Sequence, residues 1–527
     1  FFRVNVTVWE TFTSFTSLLK MRTTLSLLVL FLLHASALAQ VSIEQLALVP
    51  GKHYVGFTHY TTFDSSRTYH RIFDWTNKSV LRPIPISIWY PSTENPANAP
   101  LTVLDYMRIL KEEEEWEHLP DNQILNWFYY PNTVSNRNHL LETTTAFSEL
   151  RPASGKYPIL IYAPSYQASS VENFTFCEFL ASHGYVVISS PSRGTENRFF
   201  EGGTAKDMET QARDIEFLIE ESSQLPYGDQ KKIATIGFSF GGLSQVLSQM
   251  RDDRIKAIVS LDGSIKYQYK TLKKYPFSNI NKVNVPFIHF SQKQIPNQVL
   301  IEDKIDSTLN TEFEFFDSLR YSDAYHFQFH HLTHSYFSTL GVLFQPRDRR
   351  QDKSDADIME SYRWVCIYTL KFLQAYLNME GGALDFLRQE PYEHTNRKSM
   401  ISKTIKQREN SKFSFQDFAD FARKRNYNHL NELYDSLKNE YPELEINEWN
   451  LNNLGLQLVF HPEKTQMGIN VFLFATILYS SSANLWDSLA EGYLYFGDKR
   501  KAIKSFEKSL QLNPENQNAT NRLKELE

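Results

Sequence analysis

The sequence runs to 527 residues, 42% hydrophobic and 22% charged, with a formal net charge of −6. That length suggests about two to four domains, and the charge balance excludes both a basic field for nucleic acid and an acidic tail. Two cysteines, Cys177 and Cys366, make at most one bridge and fall in no metal-ligand pattern, so two buried thiols are expected in place of a disulfide scaffold.

The first methionine is Met21. From it, "MRTTLSLLVLFLLHASALAQ" sets Arg22 before an apolar run from Leu25 to Leu33, then Ala37-Leu38-Ala39. This order reads as a secretory signal peptide over 21–39, cut after Ala39, with residues 1–20 as translated upstream sequence or a cloning remnant. A short N-terminal anchor is the alternative. No later segment is long enough to span a bilayer, so the mature chain is expected to be exported, either periplasmic or secreted.

The stretch "RPIPISIWYPS" (82–92) alternates Ile84, Ile86, Ile88 and Tyr90 on one face, and its early prolines suit an edge strand. Residues 101–152 then form an insertion with an acidic run, Glu112–Glu115, and an aromatic group, Trp127-Phe128-Tyr129-Tyr130. The acidic run reads as a solvated helix face. The aromatics could form a lid or apolar entrance, or simply pack on a flank.

Apolar strands follow at 157–164, 184–191, 231–237, 254–263 and 283–291, separated by helical stretches. Strands apolar on both faces, alternating with helices, indicate an α/β domain over 40–380: a mostly parallel sheet covered by helices. A helix from Asp357 to Leu377 closes it. Residues 381–412, polar and basic after Gly381-Gly382, read as a linker.

Beyond it, 413–527 is helical throughout. Trp486, Leu489, Ala490, Tyr493, Ala502, Phe506 and Pro514 have tetratricopeptide-repeat spacing. Gly468 and Phe472, thirty-four residues before Ala502 and Phe506 (502 − 468; 506 − 472), suggest a second, degenerate copy. Helical stretches from Phe415 to Leu437 suggest a third pair.

Chemistry concentrates in "IATIGFSFGGLSQ" (233–245). A strand, then Gly237-Phe238-Ser239-Phe240-Gly241, then a helix is the pattern of a nucleophile elbow, with Gly242 as a further small residue. The sharp turn would expose the Ser239 hydroxyl above the sheet's C-terminal edge. A hydroxyl needs a base, and the base an orienting acid, expected in the order Ser, Asp or Glu, His. "VSLDGS" puts Asp262 at the end of the next strand; Glu302, Asp303 and Asp306 are the rival acids. The base is chosen from His326, His330, His331 and His334. His334 is preferred, because "SYFS" after it can bury Phe337 and leave the imidazole at the loop's start. His326, His330 and His334 are spaced by four, so a metal site on one helical face is the competing reading. Backbone N–H groups of Phe240 and Tyr166, the latter in "APSYQASS", are the expected oxyanion donors.

Together, "RPIPISIWYPS", "IGFSFGG", "SLDG" and "THSYFS" resemble the platelet-activating-factor acetylhydrolase-like branch of α/β-hydrolases, related to dienelactone hydrolases, over about residues 50–380. The resemblance implies an α/β-hydrolase fold with Asp262 as acid and His334 as base, Phe337 completing a His-x-x-Phe pattern. Two departures stand out: Phe238 replaces the histidine usual before the nucleophile, and Pro164-Ser165-Tyr166 replaces a His-Gly-x oxyanion loop. The repeat tail resembles tails on exported proteins of Bacteroidetes-type bacteria. The expected function is that of an exported serine carboxylic-ester hydrolase needing no cofactor. Its substrate would be a small or lipid-like ester, and its tail would be open to a protein partner or self-association. An amidase or peptidase with the same residues, and a non-catalytic scaffold acting through the repeats, are the alternatives.

Overall fold

The computed structural model describes residues 41–526 except 73, 77, 303–305, 347–349, 410–412 and 443. The expected signal peptide and the residues before it lie outside the described residues. The chain divides into two compact units, one ending at Glu409 and the other beginning at Asn410. No described helix is long and apolar enough to cross a membrane.

The first unit is built on one sheet. Its strands are β1 (Tyr54–Tyr69), β2 (Val80–Ser92), β3 (Ala146–Ser148), β4 (Tyr157–Ala163), β5 (Val186–Ser189), β6 (Gly228–Phe238), β7 (Ile255–Leu261), β8 (Phe287–Ser291), β9 (Ala324–Phe329) and β10 (Ile401–Lys406), in the order β10-β9-β8-β7-β6-β4-β5-β2-β1-β3. From β5 to β9 all neighbours are parallel; β2 and β10 join this block antiparallel. Alternation along each strand feeds two cores. Leu160, Tyr162, Ala234, Ile236, Val259 and Phe290 face one layer, with α1 (Val103–Glu113), α2 (Phe174–Ser182) and the long helix Asp355–Tyr376. Ile159, Ile161, Ile233, Ile258 and Phe287 face the other, with α3 (Ala205–Glu221) and α4 (Gly241–Arg251). Helices on both faces explain why these strands lack a polar side. This is the α/β-hydrolase fold. Chain travel reverses at β4, which has β5 on one side and β6 on the other. Such a reversal leaves a crevice at the strands' carboxyl ends.

Four sequence expectations need correction. β2 is interior, paired to β1 along its length and to β5 through Ser87, Ile88 and Trp89. Pro83 and Pro85 precede the part that pairs with β5, so their missing N–H groups interrupt nothing there. The stretch 381–412 is not a linker: after α5 (Thr339–Phe344) and α6 (Asp355–Tyr376) it forms α7 (Gly381–Arg388), α8 (Pro391–Thr395) and β10, which pairs with β9 from Ile401↔Phe329 to Lys406↔Ala324. His326 stands in β9 and not on a helical face.

The acidic run, finally, is not a solvated face. Glu113 is buried and accepts from the hydroxyls of Ser169 and Ser170, Glu115 takes the Tyr69 hydroxyl at 2.9 Å, and Glu114 pairs with Arg198. Helix α1 thus turns Val103, Tyr106 and Met107 into the core and its C-terminal carboxylates into a polar interior seam. Of the aromatic group in 101–152, Phe128 and Tyr130 pack against the core, while Trp127 and Tyr129 are exposed.

The second unit is all helical: α9 (Phe415–Lys424), α10 (Leu430–Glu440), α11 (Glu448–Val459), α12 (Thr465–Leu478), α13 (Ala483–Phe496), α14 (Lys499–Leu512) and α15 (Gln517–Leu526). Its core runs in successive clusters: Phe418, Leu433 and Phe474; then Val459, Phe472 and Leu489; then Ala490, Ala502, Phe506 and Ala519. Each cluster draws on neighbouring helices, so the unit grows by adding one helix after another.

Candidate active site

Strand β6 stops at Phe238 and α4 starts at Gly241, leaving two residues to reverse the chain. Ser239 meets this with φ of +50°, a left-handed conformation that costs a side-chain-bearing residue energy and must be held by its surroundings. It is held. The Ser239 N–H donates to Leu261 O at 3.1 Å, and the Ser239 carbonyl accepts from Ser264 N–H at 2.6 Å and Gly242 N–H at 3.0 Å. The neighbouring glycines are steric requirements. A Cβ on Gly237, Gly241 or Gly242 would lie 2.4 Å from Gly241 O, 2.1 Å from Ala163 O and 2.5 Å from Gly263 Cα, respectively.

The structure brings Ser239, Asp262 and His334 together. His334 opens the 3-10 turn His334–Phe337, and its Nε2 lies 2.9 Å from Ser239 Oγ. Its Nδ1 is 2.5 Å from Asp262 Oδ2. Asp262 is fully buried just past β7, and its Oδ1 accepts from the Tyr267 hydroxyl at 2.6 Å and Gln292 N–H at 3.0 Å. With two donors on Oδ1 and His334 on Oδ2, the carboxylate is held in one orientation. Phe238, just before the nucleophile candidate, sets its ring 5.3 Å from the His334 imidazole.

The rivals are elsewhere. Asp306 caps a turn through Thr308 N–H, Glu302 accepts from Gln298, and Asp303 lies outside the described residues. His326 Nε2 bonds Ser291 Oγ at 2.7 Å, with burial pushing its pKa down to about 3. His330 meets Ser402 at 3.0 Å, and His331 lies 3.9 Å from Asp357. With His326 on a strand, the four-residue spacing marks no shared helical face. Among the described residues no three His, Cys, Asp or Glu side chains are grouped to hold a metal ion.

Tyr166 and Phe240 approach each other from two elements. Their rings lie 6.1 Å apart, both touching Phe200. Neither backbone N–H donates to an acceptor among the described residues. Helix α4 also directs its positive end toward the turn at Ser239.

Three residues escaped the sequence analysis. Gln292 gives its N–H to Asp262, accepts His334 N–H on Oε1 at 3.1 Å and reaches the Tyr267 hydroxyl at 3.3 Å. Tyr267 is the second brace on Asp262. Glu172 lies under the Tyr166 turn. Only the absence of a carboxylate after β8 hinted that Gln292 plays another part.

A parallel sheet with a serine elbow after β6, an acid after β7 and a histidine after the last parallel strand defines the class of protein: an α/β-hydrolase fold. The family of X-Pro dipeptidyl-peptidases (S15 family) matches residues 84–273. This segment holds Ser239 and Asp262 and stops before His334. A ferulic acid esterase from Streptomyces cinnamoneus is similar in structure, at 16% sequence identity and a TM-score of 0.43, covering 68% of this chain and 98% of its own. No curated protein matches the sequence.

Proposed function

We propose that the protein is a serine hydrolase acting on carboxylic esters, with Ser239 as nucleophile, His334 as general base and Asp262 as its orienting acid. The observation that carries this is the unbroken chain from Ser239 Oγ through His334 to Asp262, at 2.9 and 2.5 Å. In this mechanism the Ser239 oxygen attacks the carbonyl carbon while His334 Nε2 takes its proton. Asp262 holds the opposite ring nitrogen and stabilises the imidazolium. The N–H groups of Phe240 and Tyr166 receive the oxyanion, and Gly237, Gly241 and Gly242 let the elbow form. His334 then protonates the leaving alcohol, and water releases the acyl group by the same route. No cofactor enters.

Small or lipid-like esters are the proposed substrates, as the resemblance to platelet-activating-factor acetylhydrolase-like enzymes implies. Exposed Trp127 and Tyr129 are the part of 101–152 able to line an entrance. A second reading has its own support: the S15 match favours a peptide or amide bond cleaved by the same residues. The helical unit is proposed to be a tetratricopeptide-repeat tail that binds a protein partner or a second copy. Export through the signal at 21–39 belongs to the same proposal.

The test is an ester panel of graded acyl length beside dipeptidyl p-nitroanilides ending in proline, with a fluorophosphonate probe. Wild type should label and cleave esters faster than anilides, and Ser239→Ala should do neither. Equal labelling of both proteins would dismiss Ser239 as nucleophile. Faster anilide cleavage would select the peptidase reading, and inertness throughout would favour a scaffold.

A further inference from the structure

Glu172, at the entrance to α2, is a buried carboxylate that the mechanism above does not use. Its Oε2 accepts Ser165 N–H at 2.9 Å and its Oε1 accepts the Ser165 hydroxyl at 2.5 Å. Its own carbonyl accepts Leu340 N–H at 3.2 Å, from the helix that follows His334. One residue therefore grips the turn before Tyr166 with its side chain and the histidine segment with its backbone. No lysine or arginine pairs with it among the described residues.

We propose that Glu172 is a positioning residue that holds the 164–167 turn, and with it the Tyr166 N–H, in place for the oxyanion, and that it does so as the ionised carboxylate. The inference rests on the hydrolase reading of Ser239 and deepens it by adding a regulatory step at the same site.

The reason lies in hydrogen-bond bookkeeping: both Ser165 groups donate, one to each oxygen, and only a carboxylate accepts at both without having a proton of its own to place. Gln167 in the same turn has φ of +53°, a conformation that needs such outside support. Burial raises the Glu172 pKa to about 7, against the pull of the two Ser165 bonds and of His334. The other titratable groups facing it are Tyr130, from the 101–152 segment, and Tyr162 on β4; both are neutral at that pH. Above about pH 7 the carboxylate holds the turn; below it, the proton competes with Ser165 and the grip loosens.

The experiment is the pH profile of kcat/KM for 4-nitrophenyl acetate on the full chain, for wild type and Glu172→Gln, with fluorophosphonate labelling of Ser239 alongside. Wild type should lose activity on the acid side with a limiting slope of two, one proton more than is left when Glu172 cannot titrate. Glu172→Gln should show a slope of one and a kcat lowered about 10- to 100-fold with little change in KM. Ser165→Ala, which removes one donor and leaves the backbone, should move the second acid-side titration to higher pH; this variant decides the matter if Glu172→Gln does not fold. A labelled, active wild type whose profile both variants share would overturn the inference alone. A wild type in which Ser239 neither labels nor turns over ester would overturn the hydrolase reading and this inference with it.

Discussion

Asp262 is the residue whose surroundings leave least freedom. It is fully buried, with Tyr267, Gln292 and His334 on its two oxygens. Replacing it by Asn keeps the shape but offers His334 Nδ1 an amide that can present N–H, favouring the wrong tautomer. Asp262→Asn is expected to lower kcat by about 10³-fold or more, measured on a short ester at fixed pH, with the thermal midpoint shifting far less. Tyr267→Phe removes one of three donors and should cost about 10-fold or less in the same assay. Ser239, Asp262 and His334 were legible in the sequence because their causes are local: glycine sterics, a strand end, a loop before a helix. Gln292, Tyr267 and Glu172 were not, since each acquires its role only when strands or loops far apart in sequence meet.

Among the elements, the sheet edges were misassigned, and for one reason. Composition is a poor marker of edge position: prolines suggest an edge for β2, and polar, basic residues suggest a linker where β10 lies. In the fold β10 is one of the two edges, and its lysines anchor it there: Lys403 Nζ donates to the Gln389 carbonyl at 2.6 Å and Lys406 Nζ to the Asp317 and Leu319 carbonyls at 2.8 Å. A chain ending at residue 380 should therefore expose β9 and aggregate, whereas one ending at 409 should stay soluble; size-exclusion chromatography of the two distinguishes them. The β1–β2 hairpin is secured differently. Arg82, fully buried on β2, meets Asp214 of α3 through two nitrogens at 3.0 and 2.6 Å and also bonds the Gly194 carbonyl at 2.6 Å. Arg82→Ala leaves a buried carboxylate with only Arg67 beside it, and urea unfolding should show a loss of about 3 kcal/mol.

For the molecule as a whole, the titratable groups set a direction in pH. His53, His59, His183, His289, His326, His330 and His331 are all lowered, burial being the largest cause in each. A histidine lowered on folding contributes stability above its ordinary pKa of 6.5 and loses it as pH falls through the folded value. Glu113 and Glu172, raised by burial to about 6 and about 7, act oppositely: their contribution is present below the ordinary carboxyl pKa of 4.5 and lost as pH rises. Glu114, Glu178, Glu216 and Asp487 are raised too. Asp64, Asp105, Glu209 and Asp357, however, are among the carboxyls held low, against burial, by their hydrogen bonds, and these lose stability together with the imidazoles as pH falls, so the urea midpoint is expected to fall between pH 6.5 and 4. A midpoint higher at pH 4 than at pH 7 would contradict this balance.

The two thiols have a practical consequence. Cys177 on α2 and Cys366 on α6 are both fully buried, burial raises both pKa values, and the chain has no other cysteine. A thiol reagent added to the native protein thus has nothing to react with until the hydrolase core opens, and it is blind to anything the helical tail does. The rate at which mass tags appear is a clock for that core alone, available without introducing a single probe.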